Sequence, residues 1–250
     1  GLGEDTVLPQ GALAGAATAL RDGDLVTGLH HYLSEGSVWS RLVAAFVNGN
    51  ALLTYPPLAA LARPVTINGM FYLTTADALA RAGGFGAIEH LVCDDYELAL
   101  AFRAAGLRLV QAAIPVTLRT TVAGPLAYLH LMRRWQVFAG RLLRAEAGAA
   151  LLLLVVVPTV LPVVVLALAG GAGAPSLALA MVVALAAKAV VTAALRRRLL
   201  GAPAGVAAVP LEVVADLLQP VHAVLALARP GRFTWRGRPM VLDRSGGIRP

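Results

Sequence analysis

The chain has 250 residues, 58% of them hydrophobic and 14% charged. An ordinary soluble domain has about 45–50% apolar and about 25% charged residues, so the excess of apolar residues points to a membrane protein. The net charge of +7 is carried almost wholly by arginine, Lys188 being the only lysine, and the single Cys93 excludes a disulfide framework. The arginines lie beside apolar segments and no nucleic-acid module is present, which favours an anionic membrane surface over nucleic acid as partner.

The first residues, Gly1 to Asp5, contain neither a start methionine nor a signal peptide and read as a chain beginning inside a domain. Residues 1–123 read as an α/β segment. A short strand is expected within Asp24–Leu29, and helical apolar spacing runs from Val38 to Tyr55. Thr66 to Thr74, rich in β-branched and aromatic residues, predicts a strand. A short helix follows over Ala76–Ala82, with Thr74 and Asp77 as a capping box and Gly83-Gly84 as the stop. A further helix is expected from Tyr96 to Ala105, ended by Gly106, and two strands over Leu107–Ala112 and Val116–Thr121. The alternation of helices and strands argues for an α/β layer fold.

Residues 124–146 mix Leu126, Leu129, Met132 and Trp135 with Arg133, Arg134, Arg141 and Arg144, as a basic amphipathic helix at a membrane interface does. No charged residue occurs between Glu146 and Lys188. Leu151–Ala169 and Ser176–Leu195 each approach the roughly 20 apolar residues needed to cross a bilayer. Gly170–Pro175 is the turn between them. Residues 147–198 are therefore expected to form a transmembrane hairpin, kinked by Pro158 and Pro162, with its arginine-flanked ends cytoplasmic. Lys188 is placed close enough to the cytoplasmic end to snorkel there. In residues 199–250, the apolar segment 204–228 carries Glu212, Asp216 and Gln219 on one helix face. That stripe should meet protein or headgroups rather than acyl chains. The segment can span, re-enter or lie flat, and the arginine-rich tail beyond it, a hairpin turning at Arg236-Gly237, favours the last two.

Two acidic sites and one basic-aromatic site suggest chemistry. In Cys93-Asp94-Asp95-Tyr96-Glu97, adjacent carboxylates open a helix, where the positive end of the helix dipole steadies negative charge and a general base can sit. Asp94 and Glu97 equally satisfy an acidic capping box, and the two readings coexist if Asp94 caps while Asp95 faces a cleft. Arg133-Arg134-Trp135 joins bidentate phosphate-binding groups to a stacking surface, or forms an interfacial belt. Glu4-Asp5 is a weak metal-binding pair by itself. His30-His31 reads as structural, and no P-loop, G-x-G-x-x-G, H-E-x-x-H or G-x-S-x-G motif is present.

In order and spacing, Gly69-Met-Phe-Tyr-Leu, Ala76 to Phe85, Asp94-Asp95-Tyr96, Ala104 to Leu109, Arg134-Trp135 and Trp235-Arg-Gly-Arg resemble the family 2 and family 21 glycosyltransferases. The resemblance is in particular to ceramide glucosyltransferase and the bacterial hopanoid-type lipid glycosyltransferases. The resemblance implies the C-terminal, acceptor half of a GT-A-like domain in residues 1–123, without the earlier uridine-binding half. It makes Asp95 the catalytic base. It places Asp94, Arg133, Arg134, Trp135 and Gly69 at the substrate, with Arg134-Trp135 as the end of a Q-x-x-R-W motif whose first position is here Leu131. Asp5 would be the last aspartate of a D-x-D metal site for Mg²⁺ or Mn²⁺, whose first position is here Gly3. The implied activity is inverting transfer of a hexose from a nucleotide sugar, by family default UDP-glucose, to a lipid hydroxyl at a bacterial inner membrane, with the catalytic part cytoplasmic. Two other readings remain open: a processive polysaccharide synthase of the same superfamily, and a membrane scaffold left from a truncated transferase.

Overall fold

A computed structural model describes residues 6–249 except 90, 92, 147, 203–204, 206, 236–237 and 244–246, with backbone alone at 248 and 249. Four strands make the main sheet: β1 (Thr6–Val7), β2 (Leu25–Ser34), β3 (Tyr72–Thr74) and β4 (Leu109–Thr120), in the order β1-β4-β2-β3. The central pair, β2 and β4, is parallel, and the two short edge strands run antiparallel to it. A parallel pair needs a long crossover. Here it contains α2 (Val38–Leu61), β3, α3 (Ala76–Arg81) and α4 (Asp94–Ala104).

The sheet is covered on both faces, as the continuous burial of Leu25 to Leu29 requires. On one side Leu25, Ile67, Leu98, Phe102 and Leu109 join the sheet to α3 and α4. On the other, Val26, Ile114 and Val116 pack on Ala12 and Ala16 of α1 (Ala12–Ala19).

Several elements differ from their expected form for visible reasons. The two strands expected at 107–112 and 116–121 are one strand, β4, whose pairing with β2 slips between Thr27 and Leu29. Pro115 has no N–H to give a ladder, and β-bulges mark such places. Gly28 sits opposite the slip, where a Cβ would lie 2.5 Å from Val116 Cγ2 and 2.7 Å from the Ile114 carbonyl oxygen. The strand expected over 66–74 shortens to Tyr72–Thr74. The buried Thr27 hydroxyl accepts from the Asn68 amide at 2.9 Å and donates to the Phe71 carbonyl at 3.0 Å, which folds 68–71 into a turn. The cap of α3 is Thr75, accepting from the Ala78 amide at 3.1 Å, and not Thr74. Thr74 still belongs to β3 and donates instead to the Asp24 carbonyl.

α2 begins at a Ser37 cap and continues through Pro56-Pro57 to Leu61, beyond the expected end at Tyr55. Its buried residues make one side of the helix fit β2, while the far side meets the apolar helices. α5 (Pro125–Ala145) is the expected amphipathic helix, and it packs Tyr128 and Met132 against Leu42 and Val43 of α2.

Among the described residues, three helices are long and apolar enough to cross a membrane: Ala149–Gly171, Pro175–Leu200 and Ala208–Leu227. The first contains a π-turn at Leu152–Val156, just before Pro158, where the helix must accommodate a missing N–H. The polar stripe of the third helix faces protein, as expected from its cost in lipid. Glu212 pairs with Arg196 at 2.5 Å, and Asp216 holds Lys188 Nζ at 2.8 Å through both oxygens. Gln219 accepts from Gln136 at 2.9 Å, and His222 lies 3.0 Å from the Tyr128 hydroxyl. Lys188 therefore does not snorkel. Its ammonium also donates to Asn50 of α2 at 3.3 Å, inside the helix cluster. Arg196 is buried, which leaves Arg197 and Arg198 as the exposed basic pair at that helix end.

After the third helix, β5 (Arg232–Trp235) pairs with β6 (Arg238–Leu242), and β7 (Ile248–Arg249) adds to β6. Trp235 stands opposite Arg238, flanking the expected hairpin turn, whose residues 236–237 lie outside the described ones. The tail returns to the sheet domain through a bridge between Gly247 and Leu91.

Candidate active site

The carboxylate pair opens α4 directly. Asp94 and Asp95 are its first residues, Cys93 precedes them, and no side chain of Cys93 caps the helix. The Asp94 carboxylate accepts from the Asp95 amide at 3.0 Å, and Asp95 Oδ1 accepts from the Tyr96 amide at 2.7 Å. The expected capping role of Glu97 is not seen. Glu97 is buried and its carboxylate is held by Arg141 of α5 through Nε at 2.7 Å and through Nη2.

Asp94 is exposed and Asp95 is half-buried. Burial pushes the Asp95 carboxyl up to about 6, the charge of Asp94 adds to the rise, and the Tyr96 amide opposes it. The aspartate that faces the interior thus stays ionised at neutral pH but close to the range where a base is most effective. Gly69 touches it from the turn that Thr27 holds: a Cβ on Gly69 would lie 3.1 Å from Asp95 Cβ. The absence of a side chain there lets the turn approach the carboxylate closely.

Tyr32 of β2 and Tyr55 of α2 both feel the charge of Asp95, and Tyr32 also feels that of Arg134. Burial pushes the Tyr32 hydroxyl up to about 12, so it stays neutral at physiological pH. His30 stands edge-on to Tyr55 and Tyr32, at 5.1 and 6.2 Å between ring centroids. Burial lowers His30 to about 4, so its ring is neutral at physiological pH. Trp135 lies edge-on to Tyr32 at 6.3 Å and tilted against Phe46 at 6.0 Å.

Of the expected substrate residues, Asp95, Gly69, Arg134 and Trp135 belong to this neighbourhood, and Asp94 forms its outer rim. Arg134 lies 5.3 Å over the Trp235 ring of the tail. Arg133 is turned elsewhere. It donates to the carbonyls of Arg232 at 2.7 Å and Arg229 at 3.0 Å, and so ties α5 to the tail. Leu131 packs in the apolar contact between α5 and α2, which explains an apolar residue at the start of that motif. Asp5 lies outside the described residues. Among the described residues, no group of three or more His, Cys, Asp or Glu side chains is placed to hold a metal ion. Cys93 is buried, and its thiol is pushed well above its ordinary range by burial and by the surrounding carboxylates.

Sequence reading missed Tyr32, Tyr55 and the Glu97–Arg141 pair. His30 and Tyr32, two residues apart on a strand, present the same face. That spacing was available; the partners on α2 and α5 were not. The model of glycosyl transferase family 21 matches residues 7–248. No curated protein matches the chain.

Proposed function

The chain belongs to glycosyl transferase family 21, and on that premise we propose that this membrane-bound glycosyltransferase moves a hexose from a nucleotide sugar to the hydroxyl of a lipid, with inversion. The observation that carries the reading is Asp95. It stands at a helix N-terminus with a carboxyl raised to about 6, and Tyr32 feels both its charge and that of Arg134. Above that pH the ionised carboxylate takes the proton of the acceptor hydroxyl as oxygen attacks the anomeric carbon, and the nucleoside diphosphate leaves with its electron pair. Arg134 offsets the charge that grows on the leaving group, with Trp135 as an apolar surface beside it. Inversion follows from a single displacement.

The half-buried site suits an acceptor delivered at a bilayer surface, because α5 and the apolar helices pack on the same α2 that lies under it. We place the first two apolar helices across the membrane and the sheet domain on the cytoplasmic side, as the basic pair Arg197-Arg198 favours. The domain has a GT-A-like form in this reading, and a bacterial inner membrane is its setting.

The test uses membranes that contain the full-length protein, incubated with labelled UDP-glucose or UDP-N-acetylglucosamine. A labelled, extractable lipid is expected, and Asp95→Asn should lower its formation by about 10²-fold or more while donor binding persists. A labelled polymer in place of lipid would reverse the acceptor assignment. Turnover by Asp95→Asn at the wild-type rate would remove the base.

A further inference from the structure

The two helices that carry the site do not pack closely on one another. α4 brings Asp95 and α5 brings Arg134-Trp135, and long side chains rather than adjoining backbones connect them. Glu97, two residues after Asp95, is held by Arg141, two helical turns after Arg134. The Arg141 guanidinium also lies 5.8 Å over the ring of the buried Tyr96. Further along both helices, Arg103 Nη1 and Nη2 meet Glu146 at 2.5 and 3.1 Å, and the Tyr96 hydroxyl donates to Glu146 at 3.3 Å. The Glu97–Arg141 contact lies two residues along α4 from Asp95, whose carboxyl feels the Glu97 charge. Its side chains are 5% and 14% exposed, so it is shielded from the solvent that weakens surface pairs.

We propose that Glu97 and Arg141 form a positioning pair that sets the placement of Asp95 on α4 relative to Arg134 and Trp135 on α5, with neither residue touching the substrate. The inference rests on the reading of Asp95 as base. Nε and Nη2 of Arg141 converge on Oε1 of Glu97, and a shielded, charge-assisted contact of this kind ties one helix to the other more narrowly than apolar contact does. A misplacement of the base by a fraction of an ångström already slows a reaction that depends on alignment.

The pair also controls local charge. The groups that act on Asp95 or feel its charge include Asp94 and Glu97 on its own helix, Cys93 before it, Tyr32 from β2 and Tyr55 from α2, and Tyr32 also feels Arg134. Arg141 neutralises Glu97 among them. Without Arg141, an unpaired Glu97 carboxylate would disfavour ionisation of Asp95.

The experiment compares Arg141→Gln, Glu97→Gln, the double variant and Arg141→Lys in membranes containing the full-length protein. For Arg141→Gln, kcat should fall about tenfold with the donor KM little changed, and the acid limb of kcat/KM should move to higher pH. For Glu97→Gln the limb should move to lower pH. In the double variant it should return near wild type while kcat stays low, and Arg141→Lys should recover much of the turnover. A buried carboxylate left alone can unfold a protein. If Arg141→Gln does not accumulate, Glu97→Gln and Arg141→Lys carry the same comparison. Folded variants with wild-type kcat and an unmoved acid limb would overturn the pair's role. If Asp95→Asn were active as well, the base assignment would fail instead, so the two failures are distinct.

Discussion

At the scale of single residues, Asp95 shows how a fold adjusts one carboxylate. Burial raises it to about 6, above its value in an unfolded chain. For transfer, the acid limb of kcat/KM should therefore lie near pH 6 and not near pH 4, as a pH series of initial rates will show. For stability the sign is the opposite. A raised folded value favours the protonated form, so its stabilising contribution is complete below the unfolded value and is lost as the pH rises through about 6. Asp95→Asn should then melt at a higher temperature than wild type at pH 8, with the difference shrinking towards pH 4, when thermal unfolding is followed at both. Gly69 belongs to the same geometry. Its backbone lies outside the left-handed region, so alanine costs it no strain, but the new Cβ would press on Asp95 Cβ at 3.1 Å. Gly69→Ala should fold normally and lower kcat by about tenfold in steady-state kinetics; unchanged kcat would show that Asp95 yields freely.

At the scale of elements, the third apolar helix is informative. Its polar stripe makes contacts in sequence with Arg196 and Lys188 of the second helix, then Gln136 and Tyr128 of α5. α2 approaches closely at Gly49, where a Cβ would come within 3.3 Å of Glu212 Oε2, and contributes Asn50 to Lys188. Arg196, Glu212 and Asp216 are buried and Lys188 is half-buried, and a buried pair is far more sensitive to the loss of one partner than to the loss of both. Lys188→Met should destabilise by about 3–5 kcal/mol because Asp216 is left alone. Lys188→Met with Asp216→Leu should recover most of that loss, as measured by thermal unfolding in detergent. A double variant as unstable as the single one would mean that the ammonium does more than neutralise Asp216.

At the scale of the molecule, the contacts bear on how many times the chain crosses the bilayer. The residues before the third helix lie beside β2 and α2, where Leu200 meets Leu29 and Leu52. Its far end lies beside α5, where Ala226 and the tail residue Phe233 pack on Val137. The tail then reaches Leu91, just before Asp94 and Asp95. Both ends thus lie with the sheet domain, and two crossings are expected, with the exposed apolar side of the third helix resting in the membrane surface. Single cysteines at Gly173, Arg197 and Arg238 provide the check. A membrane-impermeant maleimide should label Gly173→Cys on intact cells, and Arg197→Cys and Arg238→Cys only after permeabilisation. Labelling of Arg238→Cys from outside would require a third crossing.

The residues alone determined the layered α/β segment, the amphipathic α5, the apolar helices and the inward polar stripe of Glu212, Asp216 and Gln219, because each follows from periodicity and from the cost of polar groups in lipid. They also marked Asp95, Gly69, Arg134 and Trp135, through motifs short in sequence and specific only in combination. Tertiary structure alone decided the partners. Thr27 turned an expected strand into the loop that brings Gly69 to Asp95, since its hydroxyl takes the backbone groups a strand would use. Asn50 and Asp216 hold Lys188 inside the helix cluster, and Arg141 drew Glu97 away from its helix cap. Each of these choices is made by a group more than 25 residues away along the chain, a separation at which local spacing carries no information.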